Sequence, residues 1–276
     1  VEFGGVIVAS WQQASESLLT TSGKQKPAII KSMKKHLLPL LLAGFTLQSA
    51  NAASYLIDDF NSDTSANYTT FKLLDQNAGT TNVSLVISGG TASNTSSGTT
   101  GAEQSLHLNT TTISLAVGES LVGITPTVSG SGNDFGIVIA ATPSSSLGNP
   151  VAGDVRNGTN FLFISFRSPT QLNSRGFAGS EVSQAQAFGV DADSLYIERT
   201  GTNTFDFGYF TGLTKTSMVA RTVADGSVFN RVGFYSDLRA DGAGYNGFDS
   251  LNVIPEPSAA LLGGLGLIGL LRRRRA

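Results

Sequence analysis

The sequence predicts an all-β domain, a β-sandwich of jelly-roll-like type, flanked by an N-terminal signal peptide and a short C-terminal apolar helix. Three observations carry that expectation. Between residues 53 and 252 the apolar residues come in short bursts separated by Gly, Asn, Ser, Thr and Asp. Several bursts alternate with period two, as in Phe161-Leu162-Phe163-Ile164-Ser165-Phe166 and Leu195-Tyr196-Ile197-Glu198-Arg199, which is the pattern of strands with one buried face. No stretch of helical periodicity interrupts them. Many short strands separated by turn residues suit a sandwich or jelly roll. A parallel β-helix is the rival architecture, and no fixed repeat period supports it.

The elements follow in order. From Met33 the chain reads a basic start at Lys34 and Lys35, an apolar stretch from Leu37 to Leu47, then Ala50-Asn51-Ala52 before Ala53. Residues 33–52 are therefore expected to be a secretory signal peptide, cut by signal peptidase between Ala52 and Ala53. Residues 1–32 precede that better start and read as a spurious upstream extension of the reading frame; a longer genuine leader is the alternative. In the middle segment the expected strands are 55–60, 69–74, 83–87, 105–108, 112–117, 121–128, 135–140, 161–166, 194–199, 204–210, 218–223, 228–235 and 248–254. Gly89 to Gly101 has almost no apolar side chains. It is expected to be an exposed loop, either plain or carrying O-linked sugar.

Charge excludes one class of partner. From Ala53 to Ser258 the chain has 18 acidic and 9 basic residues, a formal charge of −9, while the remaining bases lie in the two ends. Nucleic-acid binding needs positive charge on the folded domain, so no nucleic acid is expected. There is no cysteine, which leaves burial or a bound metal to stabilise an exported domain. The middle segment has one histidine, His107, too little for a zinc site or for a hydrolase triad with a G-x-S-x-G elbow. Its setting, Ser105-Leu106-His107-Leu108, places the leucines inward and His107 toward solvent. Gly264-Leu265-Gly266-Leu267-Ile268-Gly269 matches a nucleotide-binding glycine pattern in letters only, since it lies in an apolar tail without a βαβ unit. Glycoside hydrolysis needs two nearby acids, and Glu103, Glu119, Glu181 and Glu198 are scattered with no two on one strand face.

The C-terminus is more specific. Val253-Ile254-Pro255-Glu256-Pro257-Ser258 is followed by apolar or glycine residues from Ala259 to Leu271 and then by Arg272, Arg273, Arg274 and Arg275. Thirteen helical residues span about 20 Å against a hydrocarbon core near 30 Å, so snorkelling arginines must extend the reach. Residues 253–276 resemble the PEP-CTERM sorting signal of exported bacterial proteins. The resemblance implies that an exosortase in the membrane recognises Pro255, Glu256 and Pro257, that the arginines act as a membrane stop, and that the domain lies outside. It further implies a place on the outer surface or in the extracellular matrix of a Gram-negative bacterium, in company with exopolysaccharide and biofilm. A permanent anchor is the alternative to processing.

A second resemblance concerns the middle segment. Its opening, Tyr55-Leu56-Ile57-Asp58-Asp59-Phe60, and its ending, Gly233 to Val253, are similar to the terminal strands of lectin-like or carbohydrate-binding jelly rolls. That resemblance implies that the terminal strands pair and that Asp249, with Asp58 or Asp59, holds a structural calcium ion. No tryptophan is present in the segment to stack on a sugar, which leaves Tyr196, Tyr209, Tyr235 and Tyr245. The functional expectation is a non-enzymatic, surface-sorted protein of the extracellular matrix. A lectin-like module or a glycan-acting enzyme is the alternative, and two buried carboxylates on a common groove would favour it.

Overall fold

A computed structural model describes residues 54–76, 82–97, 101–125, 128–131, 133–147, 153–240 and 243–255. The expected signal peptide with Ala50, Ala52 and Ala53, the residues Glu256 and Pro257, the apolar tail and Arg272 to Arg275 lie outside the described residues. Within the described residues no helix is long and apolar enough to cross a membrane.

The described chain is built almost wholly from strands: β1 (Tyr55–Asp58), β2 (Tyr68–Asp75), β3 (Asn82–Ser88), β4 (Thr91–Ser97), β5 (Glu103–Asn109), β6 (Glu119–Ile124), β7 (Ser129–Ser131), β8 (Asp134–Ala140) and β9 (Gly153–Asp154). The second half continues with β10 (Phe161–Ser168), β11 (Gln171–Phe177), β12 (Glu181–Phe188), β13 (Ser194–Arg199), β14 (Thr204–Thr211), β15 (Thr214–Thr222), β16 (Arg231–Leu238), β17 (Gly244–Phe248) and β18 (Ser250–Pro255). They form a six-stranded sheet in the order β1-β18-β6-β13-β14-β15, an eight-stranded sheet β12-β11-β10-β8-β16-β5-β2-β9, and a four-stranded sheet β3-β4-β17-β7. Every pairing is antiparallel, and the terminal strands β1 and β18 are neighbours, with Tyr55 opposite Val253.

Alternation explains the layers. On β8, Phe135, Ile137 and Ile139 enter the main core, as do Leu162, Ile164 and Phe166 of β10. The six-stranded sheet meets them with Leu121, Leu195, Ile197, Phe207, Leu251 and Val253. The intervening residues of the eight-stranded sheet do not face open water. Val138, Ala140, Phe161, Phe163, Tyr235, Leu106, Leu108 and Leu73 form a second buried cluster on its outer face, so the central strands are covered on both sides and read as near-continuous apolar runs.

This double coverage corrects the expectation for His107. It is fully buried on β5, opposite Phe234 on the inner face. Its Nδ1 lies 2.8 Å from Thr70 Oγ1 and its Nε2 3.2 Å from Ser236 Oγ. Burial pushes the imidazole down to about 4, the direction expected when the charged form is desolvated. The expected loop at Gly89–Gly101 is also corrected. Gly89 and Gly90, both with positive φ, turn the chain so that β4 can pair with β3 and β17, and Ala92, Asn94 and Ser96 point inward. Conversely, residues 112–117 form no strand.

Candidate functional site

The eight-stranded sheet places two acids side by side at its centre. Asp134 opens β8 and Asp237 lies near the end of β16; they are directly opposed partners of the two middle strands. Both share the outer face with Val138 and Tyr235, and both are only 2% exposed. Asp134 Oδ1 accepts from Ser165 Oγ at 2.7 Å and from Asn173 Nδ2 at 3.0 Å. Asp237 Oδ2 accepts from Gln104 Nε2 at 3.0 Å and from Arg239 Nη2 at 3.1 Å. Asn133 Nδ2 bridges the pair, 3.1 Å from Asp134 Oδ2 and 2.8 Å from Asp237 Oδ2. Burial pushes the Asp134 carboxyl up to about 7; the donors from Ser165 and Asn173 oppose that rise and the charge of Asp237 adds to it.

Next to the acids lies an aromatic stack. The rings of Phe163 and Tyr235 are 3.8 Å apart at the centroids and inclined by 8°, although β8 separates their strands. They meet diagonally across that strand, where Tyr235 is the register partner of Gly136 and Phe163 that of Val138. Phe161 extends the stack, its ring 6.1 Å from Tyr235 and inclined by 13°. Around these rings Gln104, Arg156, Asn157, Arg175 and Glu181 complete a small pocket of about 60 Å³. Arg156 is held by Asp154 at 2.6 Å and Arg175 pairs with Glu181, so the rim carries both charges. Burial pushes the Tyr235 phenol well above its ordinary range, and the nearby Asp237 and Asp134 add to the effect.

The residues expected to bind calcium do other work. Asp58 is buried at the end of β1, where its carboxylate accepts from Phe60 N (3.0 Å), Thr64 Oγ1 (2.6 Å) and Tyr68 OH (3.1 Å). Asp59 is exposed and accepts from the backbone and side-chain nitrogens of Asn61. Asp249 sits between β17 and β18, and its N–H donates to Ile124 O at 2.8 Å. Among the described residues no three His, Cys, Asp or Glu side chains are grouped to hold a metal. The donors filling Asp58 leave it poorly suited to a cation, so Asp58, Asp59 and Asp249 do not fit the calcium site that the resemblance implies.

The four tyrosines do not share a groove either. Tyr196 is buried on the outer face of the six-stranded sheet, donating to Asp206 Oδ2 at 2.7 Å beneath Lys215, whose Nζ is 4.8 Å from the ring centre. Tyr209 packs against the main core, and Tyr245 donates to Arg167 O at 2.7 Å. Only Tyr235 of the four lines the aromatic pocket. The Asp134–Asp237 pair was missed by a search for acids on one strand. The usable signal was an acid at the edge of an apolar run in Asp134-Phe135-Gly136-Ile137-Val138 and again in Phe234-Tyr235-Ser236-Asp237-Leu238.

With this geometry in place, comparison with known proteins adds the route of export. Residues 253–275 match the PEP-CTERM protein-sorting motif, so the chain carries the signal of an exported, exosortase-processed protein. No curated protein matches the sequence. Among solved structures the chain is similar to a legume lectin-like domain from Entamoeba histolytica, at a TM-score of 0.45 and 11% identity, covering 69% of this chain and 90% of that one. It is also similar to a prokaryotic β-1,3-1,4-glucanase (lichenase) derived from a mouse hindgut metagenome, at 0.47 and 8%, covering 74% and 100%. A Bacillus licheniformis β-glucanase is similar at 0.44 and 9%, covering 74% and 99%.

Proposed function

We propose that the chain is a non-enzymatic, surface-sorted protein that associates with extracellular polysaccharide through the outer face of its eight-stranded sheet. The observation that supports this reading is the donor arrangement around the two central acids. Each of the four carboxylate oxygens of Asp134 and Asp237 accepts a hydrogen bond from the protein. An acid–base pair acting on a substrate needs an oxygen turned toward it, whereas a fully donated pair holds strands and side chains in place. The neighbouring pocket has polar and charged groups at its rim, Gln104, Arg156, Asn157, Arg175 and Glu181, above rings that are themselves buried, so sugar hydroxyls would meet the rim. At about 60 Å³, against the cavity of about 150 Å³ that holds a benzene ring, it accepts a protruding group such as a hydroxymethyl and not a whole ring.

The test is incubation of the exported protein with a broad panel of polysaccharides. Co-sedimentation with at least one member and no release of reducing ends is the expected result. Steady release of reducing ends, or binding to none of the panel, would overturn the reading. One observation favours a glycan-acting enzyme instead: a carboxyl pushed up to about 7 beside a second acid is the protonation state a general acid needs. On that reading Asp134→Asn abolishes reducing-end release by a protein that otherwise shows it.

A further inference from the structure

We propose that one end of the sandwich is a binding site for a small amphiphile with an anionic head and a short apolar tail. Residues 113–115, 199–205 and 227–232 surround a cavity of about 220 Å³ there. Ile113, Leu115, Ile139, Phe205 and Val232 belong to the main buried core and Phe229 packs against it. The cavity is thus the inter-sheet core continuing to an opening at the surface. A dry cavity of about 150 Å³ lined by such side chains holds benzene, so the volume suits a ring or a short chain.

The head group follows from Arg199, which lines the same cavity. Arg156, Arg175 and Arg239 each pair with a carboxylate. Arg199 instead donates to the carbonyl oxygens of Leu115 (2.8 Å), Gly201 (3.3 Å) and Thr202 (2.6 Å). Arg231, which also borders the cavity, turns its guanidinium to Thr142 Oγ1 (3.1 Å) and to the carbonyl oxygens of Asn109 (3.3 Å) and Thr110, groups that line a separate groove. Among the described residues neither has a carboxylate within ion-pair distance. In a segment with twice as many acids as bases, the Arg199 charge at an apolar opening reverses the local sign.

A guanidinium has five N–H donors in a fixed fork. Carbonyl contacts hold the Arg199 fork in position without neutralising it, so an incoming anion meets preorganised donors and little side-chain freedom is lost on binding. Neither half of the arrangement explains the other: the apolar lining calls for a tail, and the unpaired charge calls for a head.

Isothermal titration of the exported protein with octanoate, octanol and acetate tests the assignment. One octanoate should bind per chain, octanol at least about tenfold more weakly because it lacks the charge-assisted contacts, and acetate not at all in the same range. Val228 lines the opening and is 56% exposed, so Val228→Trp should block the cavity while leaving the fold and its melting temperature intact. Arg199→Gln should weaken octanoate at least about tenfold. Failure of octanoate to bind below its solubility limit, octanol binding as tightly as octanoate, or unchanged octanoate affinity in Val228→Trp would each overturn the proposal. The last variant decides the matter even if Arg199→Gln disturbs the segments it ties down.

Discussion

His107 and Asp134 are pushed off their ordinary pKa values in opposite senses by the same cause, removal from water. For His107, down at about 4 in the folded protein, the unfolded chain takes up a proton first as pH falls below 6.5. Stability is therefore lost between 6.5 and about 4. For Asp134, up at about 7 against an ordinary 3.8, the folded protein keeps a proton that the unfolded chain releases, so stability is lost as pH rises from 3.8 through about 7. Between about 4 and 6.5 the two slopes cancel, each about 1.4 kcal/mol per pH unit. Urea denaturation of the parent should show no net slope from this pair across that window. Asp134→Asn should become less stable toward acid, and His107→Gln less stable toward neutrality. Equal slopes in the two variants would rule the account out. Asp58 offers a second test at this scale. Its hydrogen bond to Phe60 N accompanies a positive φ of 54° at Phe60, whose ring is fully buried against Phe234. Asp58→Ala should cost about 1–3 kcal/mol, while calcium leaves the melting temperature of the parent unchanged.

Strands were legible where apolar residues announced them. β8, β10 and β13 are Val-, Ile-, Leu- and Phe-rich and coincide closely with their expected ranges. β11 and β12, Gln-Leu-Asn-Ser-Arg-Gly-Phe and Glu-Val-Ser-Gln-Ala-Gln-Ala-Phe, carry little apolar signal: β12 is the edge strand and pairs with β11, which in turn pairs with β10. The Ser- and Thr-rich β4 is hidden for the same reason: its neighbours β3 and β17 satisfy its backbone, and backbone pairing leaves no mark on composition. The central acids were illegible because Asp134 and Asp237 become neighbours only through register, and register across distant strands is set by whole-sheet packing. Gly136 shows how tightly that register is set. A Cβ there would lie 2.0 Å from the carbonyl oxygen of Ile164, and backbone cannot yield as a side-chain end can. Gly136→Ala should destabilise by about 1–3 kcal/mol and perturb the Phe163–Tyr235 stack. A urea midpoint unchanged at constant slope would show that the sheet adjusts more easily than this packing allows.

At the scale of the whole molecule, the domain and the sorting signal overlap. The expected boundary was 252, yet β18 runs on to Pro255, which pairs with Glu119 of β6, while the sorting match begins at 253. Leu251 and Val253 are fully buried, so the fold needs residues that the signal also uses. A chain stopped after Pro255 should fold like the parent, whereas one stopped after Asp249 should lose the cooperative transition; equal melting of both would show that β18 is dispensable. Glu256→Ala, which leaves β18 intact, should accumulate a folded, membrane-retained precursor in the native host if the tail is processed, and identical band sizes would argue for a simple anchor. The same strand has a mechanical side. β18 is hydrogen-bonded to β1 on one flank and β6 on the other, and the tail leaves from its end. A pull applied along the axis of β18 would load the two ladders in shear, many bonds together, instead of peeling them apart one at a time. The attachment point therefore resists tension before the rest of the sandwich is asked to.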